Sequence, residues 1–439
     1  MSLLIRNAHI VNPDRNFDAD IVIDNGKILS IENYGSLSVN YADIIDAEGM
    51  LVIPGGVDPH VHLALPTPAG PSADDFITGS QAALAGGVTH LIDFVTPNRG
   101  QNLCEALRLR QQEAKDCSVG LNFHMGISNW LPDMEKQMEI CVKEYGIKSF
   151  KTYLAYRQSI GIDYEALEKI MRIAAKLKII VLVHSEEGDM IDQLRSDYLK
   201  KGMTHPKYHA LSRPPESESN AVKKVIELVA KTNCTTYFVH ISTAESANYI
   251  AQAKKSGLPI YAETCPHYLL LDDEVYEGTS METIPFVFSP PARPAHHKKY
   301  LWDHLQQGTF DTVATDHCPF NMQQKMVGKE NFTLIPNGAG GLEFRIPLLY
   351  HFGVLQSKIS LQQWIKYTST NAASIFGLKS KGSISIGNEA DMVIFNPTKV
   401  SNFSSQTNYQ NCDINIYEGI TVTGSIKKTI KEGIIAFEF

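Results

Sequence analysis

This 439-residue chain lacks several features that would settle its class at once. Its seven cysteines (Cys104, Cys117, Cys141, Cys234, Cys265, Cys318, Cys412) are scattered and odd in number, with no C-x-x-C pair. That argues against a disulfide framework and a structural zinc ribbon, and favours a reducing compartment. No run approaches the roughly 18 apolar residues of a spanning helix, and the N-terminus has no leader-like core followed by a small-residue cleavage site. The expected location is the cytoplasm, with no membrane partner. Charge runs are also missing: a net charge of −8 is spread evenly, so neither nucleic acid nor an anionic surface is an expected partner. A small substrate is expected instead. Low-complexity tracts, Pro-rich linkers and short-period repeats are absent too.

What is present is a series of short apolar runs alternating with helical stretches from about residue 55 to 380. Eight candidate strands fall at 51–53, 89–95, 120–127, 149–156, 179–186, 237–242, 260–267 and 311–320. Segments 75–85, 103–114, 135–145, 164–177, 219–230 and 244–255 between them carry apolar residues at helical spacing. Repeated βα units of this kind describe an α/β fold, a (β/α)₈ TIM barrel. The two ends differ: 3–10 and 21–31 alternate as β-strands do around Asn25-Gly26, a hairpin signal, and 390–395 and 421–439 repeat that character. Neither end holds enough strands for a stable sheet alone. The expected organisation is a small β-sandwich built from residues 1–50 and 381–439, interrupted by a barrel over 51–380.

The most informative stretch is Gly55-Gly56-Val57-Asp58-Pro59-His60-Val61-His62. On a strand, residues i and i+2 leave the same face, so both imidazoles can reach one cation. Further candidate ligands, Lys151, His184, His240 and Asp316, end later apolar runs, and barrel enzymes gather their catalytic groups at the C-terminal ends of strands. Four histidines, an aspartate and a lysine exceed one tetrahedral zinc with an open position. Two metals fit better, since a pair about 3.5–4 Å apart can acidify a bridging water to hydroxide and polarise a carbonyl. An ammonium cannot ligate, but a neutral Lys151 can react with carbon dioxide to give a carbamate whose oxygens bridge two cations; the plain alternative is a strand-end lysine reaching solvent. Asp316 can bind metal through one oxygen and carry a proton on the other, or serve as an N-cap. Tyr156 can donate to a developing oxyanion, or be one of eighteen ordinary tyrosines. His317 and His267 stand near strand ends as outer, hydrogen-bonded residues, whereas His205, His209, His296 and His297 occupy polar contexts that suggest the surface. Asn337-Gly338-Ala339-Gly340-Gly341 lacks Gly-Lys-Ser/Thr and G-x-G-x-x-G spacing, so it reads as a turn approaching substrate.

From about Leu3 to Ile434 the chain resembles the cyclic amidohydrolases, and among them the dihydropyrimidinase/hydantoinase branch. The resemblance rests on Pro54 to His62, Phe150-Lys151-Thr152-Tyr153-Leu154-Ala155-Tyr156, His184-Ser185-Glu186-Glu187-Gly188-Asp189, Tyr261 to Leu269, Ser289-Pro290-Pro291-Ala292-Arg293 and Asp316-His317-Cys318-Pro319-Phe320. It implies a binuclear centre, usually zinc, with manganese or cobalt as alternatives. His60, His62 and Asp316 would hold one metal, His184 and His240 the other, and carboxylated Lys151 would bridge. It further implies hydrolysis of a ring –CO–NH– bond in dihydropyrimidines or 5-substituted hydantoins by a metal-bridging hydroxide, giving N-carbamoyl amino acids. Asp316 would shuttle the proton, Tyr156 would stabilise the tetrahedral intermediate, and backbone groups at Ser289 and Asn337 would hold the imide. A homodimer or homotetramer is implied as well.

Ala64 stands where dihydroorotases usually carry an arginine suited to the substrate carboxylate. With it, Leu63-Ala64-Leu65-Pro66 resembles the hydantoinase side, where the exocyclic substituent meets apolar loops; Thr67-Pro68-Ala69-Gly70-Pro71 departs from the usual loop. Dihydroorotase and allantoinase are the enzymatic alternatives, with Arg157 or Arg293 as substitutes for the missing arginine. A non-catalytic scaffold is the remaining one, and the presence of all six ligand candidates speaks against it.

Overall fold

A computed structural model describes residues 2–36 and 43–439. Residues 1 and 37–42, part of the segment assigned to the sandwich, lie outside the described residues. Strands β1 (Ser2–Val11), β2 (Asn16–Asp24), β3 (Lys27–Asn33), β4 (Asp43–Asp46) and β5 (Leu51–Pro54) open the chain. β2 and β3 meet in a tight hairpin whose Asn25 and Gly26 have φ of 47° and 76°, the left-handed pair that such a turn requires. β5 runs parallel to β1 and antiparallel to β14 (Met392–Asn402), which pairs with β15 (Thr421–Lys431) and through it with β16 (Ile434–Glu438). Both chain ends thus form one eight-stranded sheet with its own core, in which Ile5, Ile21 and Val52 meet Met392, Ile394 and Ile430.

The intervening chain forms eight parallel strands in sequence order: β6 (Gly56–Val61), β7 (Val88–Val95), β8 (Gly120–Gly126), β9 (Ser149–Tyr153), β10 (Ile180–His184), β11 (Thr236–Phe238), β12 (Ile260–Thr264) and β13 (Thr312–Val313). The His62 N–H donates to the His317 carbonyl at 2.8 Å and Val61 bridges His317, so the chain beyond β13 closes on the end of β6. This is the expected TIM barrel. Helices Tyr164–Leu177 and Ala244–Lys255 occupy their expected bounds, and 219–230 is the middle of Pro215–Thr232, which starts with proline at its first turn. Among the described residues no helix is long and apolar enough to cross a membrane, and all seven cysteines are free thiols.

Two expectations need correction. The first barrel strand is not 51–53 but Gly56–Val61, because Leu51–Pro54 gives its hydrogen bonds to the terminal sheet. Later strands also stop short of the apolar runs that suggested them: 149–156 ends at Tyr153, 237–242 at Phe238 and 311–320 at Val313. The reason is local. Tyr156, His240 and Asp316 have φ of 58°, 41° and 49°, a left-handed backbone that departs from strand geometry two or three residues past each strand's end. Such conformations concentrate where side chains are held for function.

Candidate metal centre

The strand ends bring the six candidate ligands to one cavity of 580 Å³, which also contains Tyr156, Ser289 and Asn337. His60 lies within β6 and His62 follows its last residue. Their Nε2 atoms approach Asp316 Oδ1 at 3.1 and 3.3 Å, and the ligand atoms of these three residues lie within 4.8 Å of one another. This group could hold a divalent cation. His184 closes β10, and its ring centroid is 4.6 Å from that of His240, which is 5.5 Å from His60. Lys151, in β9, is fully buried, with Nζ 4.9 Å from the Phe94 ring and 5.1 Å from the Tyr153 ring. That nitrogen has no hydrogen-bond partner among the described residues.

Burial sets the electrostatics. It pulls His62 down to about 4, His184 below and His240 well below the ordinary histidine range, so each is neutral near pH 7, the form that ligates metal. His60 is different: burial lowers it too, but the carboxylates of Glu263 and Asp316 outweigh this and raise it to about 9. Burial opposes ionisation of Asp316, yet His60 and the hydrogen bonds from both histidines hold it well below the usual carboxylate range. Burial lowers Lys151 to about 8. A buried, unpartnered amine amid three neutral imidazoles, a carboxylate-paired His60 and an ionised Asp316 is a donor set that fits divalent cations. The fit requires a lysine converted to an anion and a His60 that gives up its proton as the metal binds.

A surrounding layer orients these groups, and sequence reasoning missed most of it. Glu263 Oε1 pairs with His60 Nδ1 at 2.7 Å and accepts the His240 backbone N–H at 3.0 Å, while Oε2 accepts the Tyr237 hydroxyl at 2.8 Å. Glu186 holds His184 Nε2 at 2.7 Å, leaving Nδ1 as the nitrogen free for a cation, and pairs with buried Arg213. The Arg213 guanidinium lies 5.1 Å from the centre of the Tyr156 ring. His317 is not a ligand: Nε2 faces Asp74 Oδ2 at 2.9 Å and Nδ1 accepts the Gly341 N–H at 3.0 Å. Asp74 Oδ1 in turn accepts the Asn411 N–H at 2.9 Å from the β14–β15 connection. His267 is likewise an outer residue, packed against Tyr268 and Phe288. The surface expectation suits His296 but fails for His209 and His297, which are buried. His209 Nε2 bonds the Phe288 carbonyl at 2.8 Å, and the Ala244 N–H donates to His297 Nδ1 at 3.0 Å.

Among the described residues, the backbone N–H and C=O of Ser289 and Asn337 make no hydrogen bonds, leaving them open to a ligand. Buried Lys325 fixes the segments that carry them, donating to the carbonyls of Val287 (2.8 Å), Pro336 (3.3 Å) and Gly338 (2.9 Å). The Gly338 N–H also reaches the Val287 carbonyl at 3.0 Å. Leu65 and Pro66 line the cavity as expected, whereas Leu63 is buried in the main core. Arg157 is turned to Ile162 and Asp189, and Arg293 to Ser242, Arg213 and Glu218. Neither enters the cavity; Arg195, which nothing in the sequence singled out, does. Of these missed groups only Glu263 and Glu186 left a signal, as acidic residues inside or directly after apolar runs.

Residues 51–435 match the amidohydrolase family. The chain is 39% identical to a D-hydantoinase of Geobacillus stearothermophilus, across 97% of this chain and 90% of that protein. It is 36% identical to a dihydropyrimidinase of Arabidopsis thaliana, across 99% of this chain and 82% of that one. The crystal structure of dihydropyrimidinase from Brevibacillus agri superimposes with a TM-score of 0.98 at 37% identity, covering 100% of this chain and 95% of the other. A Thermus D-hydantoinase gives a TM-score of 0.96 at 36% identity, covering 99% and 95%.

Proposed function

This chain belongs to the amidohydrolase family, in its dihydropyrimidinase and D-hydantoinase branch, and from that premise we propose how its residues act. It is a hydrolase of cyclic amides, opening the ring –CO–NH– bond of dihydropyrimidines or 5-substituted hydantoins to give N-carbamoyl amino acids. The relatives do not favour a dihydroorotase or allantoinase. We assign His60, His62 and Asp316 to one divalent cation, His184 and His240 to a second, and a carboxylated Lys151 to both. Zinc is the proposed metal, with manganese or cobalt as substitutes.

The observation that carries this assignment is the buried, unpartnered Nζ of Lys151. An ammonium there would repel cations. The neutral amine, favoured by burial, adds to carbon dioxide, forming an N–C bond and releasing one proton, and the resulting carbamate offers two anionic oxygens. Bound here, the cations would acidify a water and polarise the scissile carbonyl.

The protein groups divide the remaining work. Asp316 has one oxygen against the two histidines; the other takes the proton of the attacking water as the C–O bond forms and delivers it to the ring nitrogen as the C–N bond breaks. The Tyr156 hydroxyl donates to the oxygen that gains charge. Open backbone groups of Ser289 and Asn337 receive the imide, so the ring is positioned before any bond changes.

We also propose a homodimer or homotetramer, a cytoplasmic location in keeping with seven free thiols, and two domains, the terminal sheet with Leu51–Pro54 included and the barrel from Gly55 to about residue 380. The deciding experiment reconstitutes the protein with each metal and measures turnover of dihydrouracil, 5-substituted hydantoins, dihydroorotate and allantoin in parallel. Turnover of the first two classes is expected. Activity confined to dihydroorotate or allantoin would overturn the substrate assignment.

A further inference from the structure

The cavity is polar at its floor and mostly apolar at its walls, where Leu65, Pro66, Ile160, Leu334 and Pro336 stand. Apart from its histidines it contains three charged residues: Lys151, Asp316 and Arg195. The first two belong to the metal site. Among the described residues lining the cavity, Arg195, on helix Gly188–Lys200, is therefore the ionic group outside the metal site that a substituent leaving the ring could meet.

Its guanidinium is incompletely satisfied. Among the described residues the side chain makes one hydrogen bond, from Nη2 to the Thr333 carbonyl at 3.1 Å. The nearest carboxylate oxygen, on Asp192 one helical turn away, stands 3.9 Å from Nη1, too far for a hydrogen bond. An arginine offers five N–H donors in a planar fork, so most of these donors are open, and the side chain keeps 31% of its surface exposed. Asp192 is its only ion-pair partner among the described residues, and that pairing is long. Burial, and after it the charge of Arg213, press against its protonated form, with Asp192 only partly offsetting them. Glu186, the carboxylate that partners Arg213, is committed to Arg213 and His184. A cation placed this way gains from an anionic ligand what its own protein does not supply.

Resting on the cyclic-amide reading above, we propose that Arg195 receives a carboxylate at the end of the substrate's exocyclic substituent, so that this site takes cyclic amides with acidic side arms. The methylene stem of such an arm lies along Leu65, Ile160 and Leu334 while its terminal carboxylate meets the guanidinium fork. Arg195 is thus a specificity residue, remote from the bond that breaks. It answers the question raised by Ala64 differently from a dihydroorotase, because the charge is met at the cavity wall and not beside the metal ligands.

The test compares 5-(2-carboxyethyl)hydantoin with its neutral isostere 5-(2-carbamoylethyl)hydantoin. In the wild type the acid is expected to exceed the amide in kcat/KM by about tenfold or more, the scale of a charge-assisted hydrogen-bond pair. Arg195→Gln should collapse that ratio toward one and Arg195→Lys should keep part of it; raising the salt concentration should lower the wild-type ratio. A wild-type ratio near one, or the same ratio in Arg195→Gln, would overturn the proposal and leave Arg195 as a strap on the Thr333 segment. Calorimetric binding of the two compounds reads the same ratio without turnover. Dihydrouracil serves as the control for the underlying activity, so an inactive preparation counts against the hydrolase reading and not against Arg195.

Discussion

Glu263 Oε1 lies 2.7 Å from His60 Nδ1, and that same oxygen receives the backbone N–H of His240 at 3.0 Å. One carboxylate therefore orients residues assigned to both cations. Replacing it by Gln keeps the shape but can present an N–H where an acceptor is needed. Glu263→Gln is expected to lower metal affinity and kcat by about 10- to 100-fold, the usual effect of removing such an outer partner. Metal content after dialysis and kcat at saturating metal measure the two effects separately; full occupancy with normal kcat would refute this role.

Lys151→Ala should lose the second equivalent of metal and nearly all turnover. In the wild type, reconstitution with metal should run faster when bicarbonate is added, and ¹³C-labelled bicarbonate should give a carbamate resonance that Lys151→Ala lacks. Two metals and normal rates in the variant would dismiss the carbamate.

Lys325→Met removes the ammonium that ties together the carbonyls of Val287, Pro336 and Gly338. Burial lowers this lysine to about 7, with Cys412 and Cys318 opposing; only its protonated form has three N–H groups, one for each carbonyl. The Val287 carbonyl keeps the Gly338 N–H, but those of Pro336 and Gly338 would be left unpaired at a cost of about 1–3 kcal/mol each, so the melting temperature should fall. Because the Ser289 and Asn337 backbone groups would then be loosely held, KM for dihydrouracil should rise about tenfold with metal content unchanged. A drop in kcat at constant KM would contradict the positioning role.

Glu343 supplies a pH prediction. Burial raises its carboxyl to about 7, despite the Tyr409 and Gln410 N–H groups it accepts. Between about 4.5 and 7 the folded state keeps a proton that the unfolded chain has released, so stability falls as pH rises through that window and levels off above it. Glu343→Gln lacks this titration. Its stability relative to wild type should climb by up to about 1.4 kcal/mol per pH unit from pH 5 to 7 and stay constant beyond. Parallel stability curves for the two proteins would contradict the shift.

Much of this architecture is legible in the sequence because periodicity is local. The apolar runs of the barrel and the Asn25-Gly26 hairpin announce themselves within a few residues, and His60 and His62 share a face by strand geometry alone. Strand ends are less legible, since left-handed backbone at Tyr156, His240 and Asp316 is imposed by the packing around the site and not by those residue types. Lys325 and Arg195 were invisible for another reason. Lys325 is satisfied by backbone carbonyls, which carry no sequence signature, and Arg195 reads as an ordinary charged position on an amphipathic helix until the fold turns it toward the cavity.

The pairing of β5 with β14, with Ile53 opposite Val393, has a consequence for biosynthesis. A ribosome releases the early strands of the terminal sheet long before their partners exist, and must finish the whole barrel in between. Throughout that interval the edge of β5 stands unpaired, an adhesive surface for neighbouring nascent chains. Domain-by-domain maturation from the N-terminus is closed to this molecule: its first strands are the last to be completed, and their exposure sets the window in which a chaperone would matter most.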